Sequence, residues 1–104
     1  MIYITVKADY DGHPIKDTYS GEIALCCAGL SKEFQLKIKI WNIDYEKIIL
    51  MSPAERLENR ELIELLDLEG VDICRGILKE LGGEVKIQYY SEGRLKFTDF
   101  LSER

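Results

Sequence analysis

Residues 70–87 constrain the fold more than any other stretch of this chain. Ile73, Cys74, Ile77, Leu78 and Leu81 recur at helical spacing and make one apolar stripe. Gly82 and Gly83 follow, where glycine ends a helix cheaply by taking up a left-handed backbone. Val85, Ile87 and Tyr89 then alternate with Lys86, Gln88 and Tyr90, the mark of a half-buried strand. A helix tied so closely to a strand must fold back onto a sheet, so an α+β arrangement is expected.

The remaining elements are read around this unit. Ile2, Ile4, Val6 and Ala8 alternate with Tyr3, Thr5 and Lys7 and predict a first strand, ended by the turn-rich Asp9-Tyr10-Asp11-Gly12. Residues 20–31 fit a helix capped by Ser20 or a buried strand turning at Gly29; a strand is preferred, because it makes a hairpin with the next segment. Phe34, Leu36, Ile38 and Ile40 alternate with Gln35, Lys37, Lys39 and Trp41 and predict a strand running to Asn42. Ser52-Pro53-Ala54-Glu55 is a helix start, with serine as cap, proline at the first helical position and glutamate three residues after the serine. That helix is expected to bury Leu57, Leu62, Ile63, Leu65 and Leu66, to pair Arg60 with Glu64, and to end near Gly70 before a second helix begins. A last strand, Arg94 to Leu101, should pair with 84–90 through Ser91-Glu92-Gly93, with a bulge where Phe100 breaks the alternation. The expected architecture is a single domain, 1–104, in which helices cover one face of a mixed, largely antiparallel sheet.

Composition narrows function by exclusion. With 14 basic and 19 acidic residues the net charge is −5, and most of the acid lies between Glu55 and Asp72. This balance argues against nucleic acid, whose nonspecific binding needs clustered positive charge. No apolar run approaches the roughly 20 residues of a membrane span, so no membrane insertion is expected. Three cysteines, Cys26, Cys27 and Cys74, with no export signal fit a reducing, cytoplasmic setting and read as buried thiols rather than metal ligands. His13 has no partner at a telling spacing. Tyr89, Tyr90 and Trp41 offer an aromatic patch suited to a protein partner, or core packing.

The helix, Gly-Gly turn and strand of 73–85 resemble the C-terminal end of the ATP-binding domain of sensor histidine kinases. Ser91-Glu92-Gly93 with Phe97-Thr98 resembles that family's closing hairpin, Leu36–Asn42 its strand before the D-x-G-x-G box, and Ser52-Pro53-Ala54-Glu55 the helix start after it. The resemblance covers about two thirds of the chain, from near residue 34 onward. It implies a histidine-kinase ATPase-like fold and a role in two-component signalling. It also implies a nucleotide site in which Asn42 or Asp44 stands near the adenine-accepting aspartate and Gly70 is what is left of the second glycine box. The departures are large. Trp41-Asn42-Ile43-Asp44-Tyr45 has no glycine, Glu69 and Asp72 flank Gly70 with charge that repels a triphosphate, and no helix supplies a magnesium-binding asparagine. The family reading is therefore of a degenerate module with no catalytic residue and no bound cofactor, acting through a protein partner. Two alternatives stay open. One is a domain that still binds ATP and magnesium. The other is an unrelated binding or inhibitor module that sets its acidic helix on a basic partner. An exposed edge strand would also permit a homodimer.

Overall fold

The computed structural model describes residues 1–24 and 29–102. Its elements are β1 (Ile2–Lys7), β2 (Ile15–Asp17), α1 (Lys32–Ile49), α2 (Pro53–Glu58), α3 (Arg60–Leu81), β3 (Val85–Ser91), β4 (Lys96–Phe97) and β5 (Leu101–Ser102). The sheet runs in the order β2-β1-β3-β4, with β5 also on β3. β1 and β3 are parallel, Ile4 opposite Ile87, and every other pairing is antiparallel. A parallel pair needs a long crossover, and the three helices supply it.

Alternation decides which sheet face is covered. Ile4 and Val6 of β1 and Val85, Ile87 and Tyr89 of β3 all point into the core, together with Ile38, Trp41, Tyr45 and Ile48 of α1 and Ile63, Ile73, Cys74 and Ile77 of α3. Burying each large apolar side chain is worth about 1.5–3 kcal/mol. The Trp41 indole is fully buried, and its N–H donates to the Leu66 carbonyl at 2.8 Å.

The unit at 73–89 forms as its sequence demands. Gly82 caps α3 at φ +82°, a backbone that an L side chain resists. The box at Ser52 is also complete: its hydroxyl accepts from Glu55 N–H at 3.2 Å, and the Glu55 carboxylate accepts from Ser52 N–H at 3.3 Å.

Other segments depart from expectation. The strand expected at 34–42 is part of helix α1, capped by Ser31, whose hydroxyl accepts from Phe34 N–H at 3.3 Å. Its apolar residues carry two periods at once. The structure buries the helical set Ile38, Trp41, Asn42, Tyr45 and Ile48 and leaves Leu36, Ile40 and Ile43 exposed. The two helices expected on either side of Gly70 are one, because the inward stripe Ile63, Leu66, Gly70, Ile73 and Cys74 runs through without a break of phase. Of the side chains expected inside the preceding helix, only Ile63 and Leu66 are buried; Leu57, Leu62 and Leu65 face outward. β2 falls in a stretch for which no element was expected. Of the ambiguous stretch, 25–28 lie outside the described residues, and Ile23 makes a single antiparallel bridge to Lys16. The last strand is two short pieces. Between Tyr90↔Phe97 and Ile87↔Leu101 it advances four residues against three on β3, the extra residue that Phe100's parity signals.

Candidate functional site

An acid on the buried stripe of an otherwise apolar helix face must find partners or destabilise the fold. Asp67 is that acid, between Leu66 and Gly70 on α3, and it is 7% exposed. Tyr45 of α1 and Tyr89 of β3 both donate their hydroxyls to its Oδ1, at 2.7 and 2.6 Å. Ser91, at the end of β3, donates to Oδ2 at 2.7 Å, and the Arg94 guanidinium lies 3.5 Å from the same oxygen. One carboxylate thus ties two helices and the central strand together.

Two of these hydroxyls pass the constraint on. Tyr45 Oη accepts from the Gly93 N–H at 2.9 Å, and Ser91 Oγ accepts from the Arg94 N–H at 3.0 Å. Arg56 of α2 adds a third tie, donating to the carbonyls of Glu92 at 2.9 Å and Ile49 at 3.1 Å. The 92–95 turn is therefore held against the helices by side chains from α1, α2 and α3. Leu95 in this turn adopts φ +54°, a left-handed backbone that costs a non-glycine residue about 1–2 kcal/mol. Its side chain points into solvent.

The chemistry of the cluster is structural. Burial pushes the Tyr45 hydroxyl up to about 12; the contact with Ser91 pulls against this and the bond to Asp67 adds to it. Tyr89 is raised further, again by burial first and then by its bond to Asp67. Both therefore stay protonated donors at neutral pH. Ser91 gives its proton to Asp67 and has no imidazole beside it; the sole histidine, His13, sits exposed in the β1–β2 loop.

Above the cluster lie two open, adjoining grooves that share Glu64 and Arg94 along their rim. One, of about 600 Å³, runs between α2, α3 and the turn at Gly93–Leu95; the other, of about 320 Å³, runs between α3 and β4. Leu57 and Leu95 border the first, Leu68 and Phe97 the second, and all four are exposed. Glu61 and Glu64 line the helical side of the first beside Arg56 and Arg60, and Glu64 and Asp67 that of the second.

The residues singled out from the sequence are not gathered here. Asn42 is buried on α1, where its side chain accepts from the Asp9 N–H at 2.8 Å and donates to the Asp9 carbonyl at 2.9 Å. Asp44 is exposed on the outer side of α1. Gly70 is buried in mid-α3, where an added Cβ would lie 2.3 Å from the Tyr89 ring. Gly76 plays the same part against Phe34 of α1, at 2.5 Å, and so permits close helix–helix approach. Trp41 and Tyr89 are core, and of the expected aromatic patch only Tyr90 reaches solvent. The expected Arg60–Glu64 ion pair is not among the salt bridges of the described residues. Asp67, Tyr45, Ser91 and Arg94 were missed as a group. The available signal was the phase of Asp67, which falls on the buried stripe and not with the acids around it. No helix among the described residues is long and apolar enough to cross a membrane.

Comparison with known proteins gives one assignment. Residues 2–92 match the family model described as Serratia CdiI immunity protein-like, and the chain belongs to that family. No curated protein and no solved structure matches it. The family overturns the likeness to histidine kinases, and with it the ATPase-like fold, the two-component signalling role and the degenerate-kinase function drawn from that likeness. The structure shows why the likeness misled. The segment taken for the strand before the D-x-G-x-G box is a helix, and the segment taken for the second glycine box lies inside α3. The fold is a small α+β immunity-protein arrangement, and the findings favour a protein-binding or inhibitor module.

Proposed function

With that family as premise, we propose that this chain is an immunity protein that binds a cognate protein toxin and neutralises it by occupying its surface. The match over residues 2–92 carries the reading. The interior supports it. The buried polar groups at Asp67 are consumed in fixing a turn and two grooves at the surface, which suits recognition better than turnover. Recognition needs a pre-formed surface, because every loop ordered on binding subtracts from affinity. The chain would work in the cytoplasm, where the buried Cys74 thiol stays reduced.

The test is protection. Each reading frame flanking the chain's own gene is induced in a bacterial host, alone and together with the chain, and growth and co-purification are scored. One of them should arrest growth alone, be rescued by the chain and co-purify with it at equal stoichiometry. If no growth-arresting product is rescued or bound, the immunity reading fails.

A further inference from the structure

The outward face of α2 and α3 has a property that folding does not explain. Residues 55–72 carry seven acidic and two basic side chains, a net −5 equal to that of the whole chain. One acid and one base of this set turn inward: Asp67 into its hydroxyl cluster and Arg56 onto two backbone carbonyls. The six left are Glu55, which also closes the Ser52 capping box, Glu58, Glu61, Glu64, Glu69 and Asp72, opposed within this stretch only by Arg60. Among the described residues none of the six makes a salt bridge. Glu61 and Glu64, and Glu69 and Asp72, stand three apart on one helix, where like charges destabilise it.

Apolar side chains are interleaved with these charges. Leu57, Leu65, Leu68 and Leu95 are each between 63% and 67% exposed. On α3, Glu61, Leu65, Leu68 and Asp72 follow one another along a single outward stripe, and the two grooves lie beside it. The opposite, outer face of the sheet differs. Its rings contact one another, Tyr3 edge-on to Tyr19 and Phe100 at 5.3 Å and Tyr90 against Phe97 at 4.5 Å, with Tyr19 and Phe97 still exposed, and its charge is paired where Lys7 meets Glu92. Arg94 and Lys96 stand on the turn side of the grooves, and the six carboxylates outnumber them and Arg60; a surface that joins a net negative charge to exposed leucines has the makings of an interface with an apolar centre and a steering rim.

We infer that the outward face of α2 and α3, with the Gly93–Phe97 turn beside it, is the docking surface for a basic patch on the partner protein. The inference rests on the immunity reading and deepens it by naming the face and the partner's chemistry. The partner presents lysine and arginine side chains to the six carboxylates and apolar side chains to Leu57, Leu65, Leu68 and Leu95. An acidic face of this kind also hastens encounter with a cationic partner, and salt weakens that effect.

The toxic product identified by growth rescue is the probe. Its affinity is measured by calorimetry for the wild type, for Glu61→Lys/Glu64→Lys/Asp72→Lys and for Leu65→Ser/Leu68→Ser. Lys39→Glu on α1 and Lys86→Glu on the outer sheet face serve as controls, and circular dichroism and Tm are recorded for each. The charge-reversed variant should bind roughly a hundredfold more weakly and lose protection, and the leucine variant at least roughly tenfold more weakly, with their folds intact. Wild-type association should slow as salt is raised, and the controls should bind like the wild type. If the wild type protects but the two face variants bind as tightly as it does, the docking surface is elsewhere and this inference falls while the immunity reading stands. A wild type that protects against nothing removes that reading, and the inference with it.

Discussion

Gly70 of α3 lies against the ring of Tyr89 of β3 so closely that an added Cβ would stand 2.3 Å from Cε1 and 2.8 Å from the hydroxyl oxygen. The ring has no room to retreat, because the hydroxyl is bound to Asp67 at 2.6 Å and the side chain is buried. Gly70→Ala should therefore destabilise the protein by about 1–3 kcal/mol, despite alanine's better helix propensity. Denaturant unfolding of Gly70→Ala beside Gly83→Ala checks this, since nothing stands within 4 Å of a Cβ at Gly83. Equal stability of the two would show that α3 can move off the sheet.

Asp67 supplies acceptors to three buried hydroxyls. Asp67→Ala takes the carboxylate from all three, leaving Tyr45 and Ser91 only each other at 3.3 Å, and should cost about 3–5 kcal/mol. Asp67→Asn keeps one carbonyl oxygen for the tyrosines and should cost clearly less. Chemical denaturation of both variants measures the gap, and a neutral Asp67→Ala would mean that water replaces the carboxylate.

Alkaline pH should loosen the core. Burial raises Cys74 from 9.0 and Tyr45 from 10.0, each to about 12, and raises Tyr89 in the same direction. A group with a raised folded pKa stabilises the fold below its unfolded value, and that contribution is lost as pH climbs through the folded value. Tm should hold steady up to about pH 9 and then fall progressively toward pH 12. Tyrosinate absorbance should show Tyr45 and Tyr89 ionising only as the protein unfolds.

Relieving the acidic face should trade binding for stability. Glu61→Gln/Glu64→Gln removes one like-charge pair three residues apart and should add about 0.2–0.5 kcal/mol. Thermal melts at low and high salt test this, because salt should shrink the gain. A gain with unimpaired partner affinity would detach these charges from docking.

The single carboxylate at Asp67 explains why the site was hard to read in advance. In sequence it is one of seven acids between 55 and 72 and looks like part of a solvated face. What sets it apart is phase: it follows Ile63 by four residues and precedes Gly70 by three, inside a stripe that becomes visible only when α3 is taken as one helix. Once a break is placed at Gly70, that stripe is cut and Asp67 joins the wrong side. The same break makes Gly70 look like a helix-start glycine available to a phosphate, when its lack of a side chain serves Tyr89.

The sequence by itself determined what depends on near neighbours: the capped start at Ser52, the stop at Gly82 and the inward set Val85, Ile87 and Tyr89, along with the register slip before Leu101. Each follows from backbone rules acting over a few residues. The tertiary structure decided the rest. Residues 34–40 satisfy a strand period and a helical one together, and only the rows of core side chains facing α1 select Ile38, Trp41 and Tyr45 over Leu36 and Ile40. Propensity is a weak prior against such packing. The turn at 92–95 owes its place to a hydroxyl from α1, a guanidinium from α2 and a carboxylate from α3. Distances of that kind along the chain carry no local signal, so the surface that the turn helps to build existed only after the core had closed.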